Sequence, residues 1–294
     1  MELRILRYFL AVAREENISG AAQVLHVTQP TLSRQLMELE EELGKKLFLR
    51  GNRKITLTED GILLRKRAAE IIDLVEKTET ELTTPLDSIA GDIYIGGGET
   101  DAMRLIARMA ADLQENYPAI RYHFYSGNGD NVTERLDKGL LDFGIVIEPF
   151  DMKKYNYIRL PATDTWGLLM RKDSPLAEKE SIRPADLQNI PIITSAQTLT
   201  GSEFSRWLGK SFEELNIVAT YNLLYNASLM VDEGFGYALC LDKLINTSGS
   251  SNLCFRPLLP EFKVNLDMIW KKYQVFSGAA EKFLEMAQDG FLRI

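Results

Sequence analysis

The sequence predicts an α/β protein in which a mainly helical N-terminal part precedes a larger part of alternating strands and helices. Apolar residues recur at helical spacing through the first 43 residues, and from residue 92 apolar runs of strand length alternate with helical stretches. The 294 residues exceed what one hydrophobic core usually holds, so two or three domains are expected.

Composition excludes several classes of protein. The chain is 45% hydrophobic and 9% aromatic, which is enough to bury cores and argues against intrinsic disorder. Every uncharged apolar run is much shorter than the roughly 18 residues that a membrane-spanning helix needs. Charged residues such as Arg4 and Arg7 lie where the apolar part of an export signal would be expected. Cys240 and Cys254 are too few for a disulfide framework or a zinc cluster. We therefore predict a cytoplasmic protein without a metal site or cofactor.

The net charge, taken whole, argues against nucleic acid as a partner, because it is −8. Its distribution changes that conclusion. Residues 1–90 carry −2 and the rest −6, yet residues 45–67 hold eight basic residues against Glu59 and Asp60, a local patch of +6. Such a patch is either a solvated face or a surface that contacts phosphates.

Two helices are predicted at the start of the chain. An apolar stripe that begins at Leu3 indicates a first helix ending near Glu16. Ser19 is expected to cap a short second helix over residues 20–25, whose Ala21 and Ala22 would let another helix cross closely.

A third helix is predicted from about Gln29 to Leu43, since Thr28 is a good N-cap, Pro30 fits the first turn and Gly44 ends the pattern. Its apolar stripe comprises Leu32, Leu36, Leu39 and Leu43. The opposite face carries Pro30, Arg34 and Met37, flanked by Gln29 and Ser33. Two short helices joined by a tight turn, with polar side chains outward on the second, are typical of a helix-turn-helix.

A basic hairpin and a long helix follow. Strands are predicted over residues 46–50 and 54–58 around Gly51-Asn52, and Thr58 is expected to cap the long helix. Along that helix a heptad stripe comprises Leu64, Ala68, Ile71, Val75, Thr78 and Leu82. The stripe either pairs with a partner helix or packs on the first three helices.

Beyond a linker at residues 85–91, strands alternate with helices, which indicates a parallel, doubly wound sheet. The predicted strands are 92–98, 120–126, 143–147, 165–169, 191–194, 216–223, 236–241 and 266–270. The predicted helices are 101–116, 131–138, 202–208, 228–233 and 279–287.

A cytosolic α/β enzyme and a solute-binding protein are the alternative classes. Gly96-Gly97-Gly98 after a strand is faintly similar to a dinucleotide loop, but Asp101 stands where the third glycine is needed. His26 and His123 show no arrangement of acid and nucleophile, and the two cysteines lie in apolar strands. We predict no catalytic residues.

Residues 6–13, 20–22, 25–35, 39–44, 47–50 and 57–61 together resemble the LysR-type transcriptional regulators, and 20–22 with 25–35 do so almost residue for residue. Weaker similarity to the same family lies at residues 139–145, 174–177 and 234–239. The resemblance covers the full chain and is densest in the first 65 residues.

The resemblance implies a winged helix-turn-helix over residues 1–58, a linker and dimerisation helix with a hinge over 59–87, and an effector-binding domain over 88–294. That domain would have a periplasmic-binding-protein-like fold of two α/β lobes, the first formed by 91–161 and 266–294 and the second by 162–265. Residues 147–149 and 160–162 would be the crossovers between the lobes.

The implied function is a sequence-specific DNA-binding transcriptional regulator, not an enzyme, whose DNA geometry is switched by a small-molecule effector. Its expected partners are an imperfect inverted repeat in double-stranded DNA, the effector, and further copies of itself in a dimer or a dimer of dimers. Base and phosphate contacts are expected from Thr28, Gln29, Pro30, Thr31, Ser33, Arg34, Arg50, Arg53 and Lys54. Without DNA, Arg34 could instead pair with Glu38.

The effector is expected between the lobes, at the carboxyl ends of strands. By position, Thr100, Asn128, Ser195 and Asn226 match the ligand-contacting positions of the family, although such residues also cap helices. Glu148 and Trp166 are candidate wall residues of the cleft.

Helix N-termini without acidic side chains suit anionic ligands, but several predicted helices of this chain begin with or follow acidic residues. They are Glu99, Asp101 and Asp130. If any faces the cleft, a neutral or amine-bearing ligand is favoured over a dianion; otherwise they face solvent and complement the helix dipoles.

Overall fold

The computed structural model describes residues 1–51, 54–83, 89–148, 150, 152–198, 202–209 and 211–291. The chain divides into two compact units, Met1–Thr83 and Thr84–Ile294. The first unit therefore contains both the predicted winged helix-turn-helix and the long helix that follows it. In the described part of the chain, no helix is both long and apolar enough to cross a membrane.

The first unit consists of helices around a small hairpin. Its helices α1 (Leu3–Glu15), α2 (Ile18–Val24) and α3 (Gln29–Leu43) precede the antiparallel strands β1 (Phe48–Arg50) and β2 (Ile55–Leu57), and α4 (Glu59–Thr83) ends the unit. This order confirms the predicted helix-turn-helix and wing. The bounds of α3 agree with the prediction, whereas the wing strands are shorter than expected.

The core of this unit joins α1, α3 and the wing. Phe9 and Leu32 are fully buried, and the ring centroids of Phe9 and Phe48 lie 5.1 Å apart. Ala21 and Ala22 of α2 are also buried, as their small size predicted. Leu43 is 39% exposed, so the inward stripe of α3 ends at Leu39 rather than at Leu43.

Local capping explains where these helices begin and end. The prediction that Ser19 caps α2 is wrong, because the side chain of Asn17 accepts hydrogen bonds from the backbone N–H groups of Ser19 and Gly20. Thr28 caps α3 as predicted, through the N–H group of Thr31. Gly44 ends α3 at φ 63°, a left-handed conformation that costs glycine little.

Glu40 of α3 forms hydrogen bonds with the wing and is only 7% exposed. Its Oε1 accepts hydrogen bonds from the backbone N–H groups of Leu47 (2.7 Å) and Phe48 (3.2 Å), and its Oε2 accepts one from Lys46 Nζ (3.0 Å). Burial alone would raise the pKa of Glu40, but these hydrogen bonds and the lysine charge outweigh burial and lower it. Glu40 therefore sets the position of the wing relative to α3.

Helix α4 begins close against the wing. Thr58 caps it as predicted, accepting a hydrogen bond from Gly61 N at 3.0 Å. A Cβ atom on Gly61 would lie 2.1 Å from the carbonyl oxygen of Leu47, so only glycine allows this approach.

The first half of the heptad stripe of α4 packs within its own unit. Leu64, Ala68 and Ile71 pack into the core of the first unit, and Ala68 is 0% exposed. The alternative of packing on the first three helices is therefore correct for these residues. The apolar side chains that α4 leaves exposed include Leu63, Leu74 and Leu82, at 58%, 42% and 82%.

The second unit alternates strands and helices over two lobes. Lobe I contains β3 (Gly91–Gly97), α5 (Met103–Asn116), β4 (Ile120–Ser126), α6 (Gly129–Asp137) and β5 (Phe143–Ile147), and the long strand β6 (Tyr155–Arg171) leaves it. Lobe II contains β7 (Ile192–Ser195), α7 (Ser202–Leu208), β8 (Ile217–Tyr221), α8 (Leu224–Asp232), β9 (Tyr237–Leu241) and β10 (Leu253–Pro257). The chain then returns through β11 (Lys263–Lys271) and α9 (Gly278–Phe291).

The sheet is mixed, so the prediction of a parallel sheet is wrong. The strand order is β4-β3-β5-β11-β6-β9-β7-β8, with β10 also paired to β6. The pairs of β3 with β4 and β5, and of β7 with β8 and β9, are parallel. The returning strand β11 is antiparallel to β5 and β6, and β6 is antiparallel to β9.

Residues 160–162, the predicted crossover between the lobes, lie inside the continuous strand β6. Its first part pairs with β11, and its later part pairs with β9 and β10. The register against β11 shifts between Asn265 and Asp267, opposite Pro161. Because a bulge leaves an N–H group unpaired, proline fits there without ending the strand.

Both cysteines lie in the core of lobe II, as predicted. Cys240 is 1% exposed and Cys254 is 7% exposed. Burial raises the pKa of both thiols, so neither has the thiolate character of a reactive cysteine.

Candidate nucleic-acid surface and ligand cleft

The outward face of α3 presents polar side chains on a rigid helix. Gln29, Pro30 and Arg34 are exposed, while Leu32, Leu36 and Leu39 on the other side are buried. At the start of the helix the hydroxyl groups of Thr28 and Thr31 lie 2.8 Å apart. The burial of one face therefore fixes which side chains the helix can offer to a groove of DNA.

Arg34 is paired but accessible. Its Nε donates to Glu38 Oε1 at 2.8 Å, and its side chain remains 78% exposed. An exposed pair at i,i+4 contributes only about 0.2–0.5 kcal/mol. The guanidinium can therefore exchange Glu38 for a base edge or a phosphate at little cost.

The basic patch around the wing is partly neutralised by acidic residues outside residues 45–67. Lys54 Nζ lies 2.5 Å from Glu16 Oε2, and Lys46 pairs with Glu40. Arg50 is the last residue of β1, and Arg53 lies outside the described residues. General attraction of DNA is therefore weaker than a patch of +6 suggests.

In lobe I, two predicted ligand residues lie after the carboxyl ends of β3 and β4. Thr100 is 6% exposed, and its hydroxyl donates to Asp164 Oδ2 of β6 at 2.5 Å. Asn128 caps α6, with its Oδ1 accepting a hydrogen bond from Asn131 N at 2.9 Å. Both side chains therefore have structural partners as well as a place at the cleft.

Asp164 was not singled out from the sequence, and it is a buried residue of β6 whose neighbours in the strand are exposed or partly exposed. It is 1% exposed, and burial raises its pKa, aided by the charges of Asp242 and Asp101 and opposed by the hydrogen bond from Thr100. A carboxyl group so placed disfavours an anionic ligand beside it.

In lobe II, Ser195 ends β7 and is partly exposed. Asn226 is exposed in the first turn of α8, so the prediction that it lies in a turn before the helix is wrong. Ser228 is inside the helix and 4% exposed. The structure thus places Thr100, Asn128 and Ser195 at strand or helix ends, and Asn226 within a helix.

The acidic residues at helix starts do not share one orientation. Asp130 is exposed, as expected for a residue that faces solvent, whereas Asp101 is partly buried, pairs with Arg104 at 2.7 Å and lines a cavity with Asp164. Glu99 is partly buried, and its carboxylate accepts a hydrogen bond from the backbone N–H of Leu224 in lobe II. Glu99 therefore faces the cleft, which is the alternative that favours a neutral or amine-bearing ligand.

A cavity of about 260 Å³ adjoins Glu99 at the ends of β3 and β4. Its walls include Phe124, Tyr125 and Met103 from lobe I and Leu244 from lobe II. This lining is mainly apolar and aromatic, with Glu99 as its carboxylate.

The other candidate wall residues lie elsewhere. Glu148 pairs with Arg159 and accepts a hydrogen bond from Asn265 Nδ2 at 3.0 Å, beside a cavity of about 600 Å³. Trp166 packs with Phe204 and Phe262 in the core of lobe II. In the described residues, no cluster of three or more His, Cys, Asp or Glu side chains could hold a metal ion.

Two protein-family models match the chain. Residues 3–62 match the bacterial regulatory helix-turn-helix protein of the lysR family, and residues 87–292 match the LysR substrate binding domain. The two matches coincide with the helix-turn-helix of the first unit and with the two-lobed second unit.

Relatives and solved structures agree with these models. The chain is 27% identical to the HTH-type transcriptional regulator BudR of Raoultella terrigena, over 97% of this chain and 100% of that protein. It is 26% identical to the Hca operon transcriptional activator HcaR of Escherichia coli strain K12, over 98% of each. The crystal structure of full-length CbnR with its target DNA superposes with a TM-score of 0.75 at 19% identity, over 98% of this chain and 99% of that one.

The relatives are named as transcriptional regulators, which confirms the prediction that the chain is not an enzyme. With family models matched over both units, the chain belongs to the LysR family of DNA-binding transcriptional regulators with an effector-binding domain.

Proposed function

We propose that α3 enters the major groove of DNA and that the wing lies along the adjacent phosphates. The observation that carries this proposal is the outward face of α3, where exposed polar side chains stand opposite a fully buried stripe. The contacting residues are Thr28, Gln29, Pro30, Thr31, Ser33 and Arg34 on the helix, and Arg50, Arg53 and Lys54 on the wing. CbnR, which shares this fold, has been solved in complex with its target DNA, and this supports DNA binding by the present chain.

Two copies of the first unit would bind one site. A single module makes few base contacts, and successive turns of the major groove on one face of DNA are about 34 Å apart. The exposed leucines of α4 supply an apolar face on which a second copy can pair. The expected operator is an imperfect inverted repeat, bound by a dimer or a dimer of dimers in the cytoplasm.

The cleft of the second unit would hold the effector, near Thr100, Asn128, Ser195 and Asn226. The supporting observation is the cavity beside Glu99, which is lined from both lobes. An effector that binds one arrangement of the lobes better than another shifts their equilibrium, and with it the spacing and bend of bound DNA. Identical footprints with and without a saturating effector would contradict this coupling.

Arg34→Ala is expected to weaken operator binding by about 1–3 kcal/mol, because a bidentate contact to guanine is lost. The measurement is fluorescence anisotropy with the DNA upstream of the protein's own gene. Lys282→Ala is the control, since Lys282 is also a cation paired on a helix, with Glu285 at 2.7 Å, but it is partly exposed and lies in the second unit. Its operator affinity should equal that of the wild type.

The same titration repeated over a range of salt concentrations tests the pairing of two modules. We expect log Kd to depend on log salt with a slope of about 0.9 per phosphate contacted. A slope no steeper than that of one or two phosphates would contradict binding by paired modules.

A further inference from the structure

Helix α8 is capped from the opposite lobe. It begins at Leu224 after Leu223, whose side chain has no polar atom with which to cap a helix. The carboxylate of Glu99 accepts the hydrogen bond from Leu224 N instead. Glu99 follows β3 in lobe I, whereas α8 lies between β8 and β9 in lobe II. The residue that caps α8 therefore lies across the cleft and 125 positions away in the sequence.

The electrostatics of this contact are favourable. A carboxylate at a helix N-terminus meets the positive end of the helix dipole, and its bond to an N–H group is charge-assisted. The charge of Glu99 also acts inside lobe II: after burial and the neighbouring Cys240, it contributes to the raised pKa of Tyr221. The contact therefore joins a charge of lobe I to the first residue of a helix of lobe II.

A side chain of lobe II likewise accepts a hydrogen bond from the start of a helix in lobe I. The side-chain oxygen of Gln197 accepts a hydrogen bond from Gly129 N, the first residue of α6 in lobe I, at 3.5 Å. Thr100 of lobe I also donates a hydrogen bond to Asp164 of β6. The helix starts at the cleft are thus tied across it by residues of the chain itself.

We propose that Glu99 is an internal latch, whose carboxylate holds the first turn of α8, keeps the two lobes closed without an effector, and excludes small carboxylates from that turn. This inference rests on the proposed function only in taking the cleft as the effector site. A carboxylate of a ligand would have to displace the Glu99 carboxylate from Leu224 N, and the two negative charges would repel each other. The site therefore suits a neutral or amine-bearing effector, for which Phe124 and Tyr125 offer aromatic walls.

Hydrogen exchange of the full-length protein, followed by mass spectrometry, tests the latch. In Glu99→Ala, exchange should become faster at the start of α8 and also at the start of α6, which Glu99 does not touch. Glu99→Gln keeps an acceptor oxygen and should lose less protection. Glu115→Ala removes an exposed carboxylate of α5 and serves as the control that leaves both helix starts unchanged.

Acetate provides a second readout, because it can replace the missing carboxylate. The Tm of the second unit in Glu99→Ala should fall by about 2–4 °C, the shift expected for roughly 1 kcal/mol in a domain of this size. Sodium acetate, compared with sodium chloride at equal ionic strength, should raise the Tm of this variant and restore slow exchange at both helix starts. The wild type should not respond.

Faster exchange at α8 alone would show that Glu99 is a local cap, and would overturn the latch. Unchanged exchange at both helices would overturn it as well, and an equal response of wild type and variant to acetate would overturn the exclusion of carboxylates. Neither measurement uses DNA or an effector, so these failures leave the proposed function standing. Conversely, failure of the operator titration leaves the latch untouched.

Discussion

Replacing Arg159 by alanine is expected to lower the free energy of unfolding of the second unit by about 3 kcal/mol, because it leaves the buried carboxylate of Asp267 without its ion-pair partner. Asp267 of β11 is 0% exposed, and its Oδ1 accepts a hydrogen bond from Arg159 Nε at 2.6 Å. Its Oδ2 has no hydrogen-bond partner among the described residues. We place the expected loss at the lower end of the range for buried pairs, since the side chain of Arg159 is 45% exposed.

The loss should depend on pH in a defined direction. Burial raises the pKa of Asp267 even with Arg159 present, and removal of the guanidinium raises it further. A carboxyl group whose pKa is higher in the folded state favours folding fully below its unfolded pKa, and this contribution is lost as the pH rises through the folded value. The variant should therefore be closest to the wild type in acid and fall behind towards neutral pH.

Urea denaturation followed by circular dichroism measures this effect. Asp267→Asn in the Arg159→Ala background should recover much of the stability, because it removes the stranded charge. Lys263→Ala, on the same strand and 51% exposed, is the control and should change stability by less than about 0.5 kcal/mol. Equal losses for Lys263→Ala and Arg159→Ala would contradict the role assigned to the buried pair.

Glu40→Gln is expected to destabilise the first unit by about 2 kcal/mol, because hydrogen bonds to a charged group are replaced by weaker ones. Two backbone N–H groups of the wing and Lys46 converge on this carboxylate. Since the pKa of Glu40 is lowered, its contribution is present above the unfolded pKa and is lost as the pH falls through the folded one. The gap between variant and wild type should therefore close in acid.

Thermal unfolding of the full-length protein at several pH values checks this expectation. Glu41→Gln is the matched control, because Glu41 is the next residue of α3 and is exposed. It should leave the Tm of the first unit unchanged. A gap that persists undiminished well below the unfolded pKa of glutamate would contradict the assignment.

Most of the first unit could be predicted because its signals are local. The cap at Thr28, Pro30 in the first turn and Gly44 at φ 63° fix the ends of α3 within one short stretch. Asn17 and Ser19 are both good capping residues two positions apart, so sequence alone could not choose between them. Periodicity likewise showed which face of α4 packs, but not that Leu64, Ala68 and Ile71 pack on their own core.

The second unit was harder to predict because its decisive contacts are distant in sequence. The start of α8 was missed because its cap, Glu99, lies in the other lobe. Residues 160–162 were predicted as a crossover between the lobes, but that one strand continues through them is visible only from its pairing with β11, β9 and β10. The candidate ligand residues Thr100 and Ser195 lie at strand ends as the sequence predicted. The buried hydrogen-bond partner of Thr100, Asp164, is 64 residues away and could be found only from the fold.

The most direct test of paired α3 helices as the DNA readers is selection of bound sequences by the full-length protein from a library of random duplexes. We predict enrichment of an imperfect inverted repeat whose half-site centres are about one helical turn, or a multiple of it, apart. Arg34→Ala should relax the preference within each half-site, and Lys282→Ala should not. Enrichment of a single asymmetric half-site, or of no sequence at all, would contradict the account.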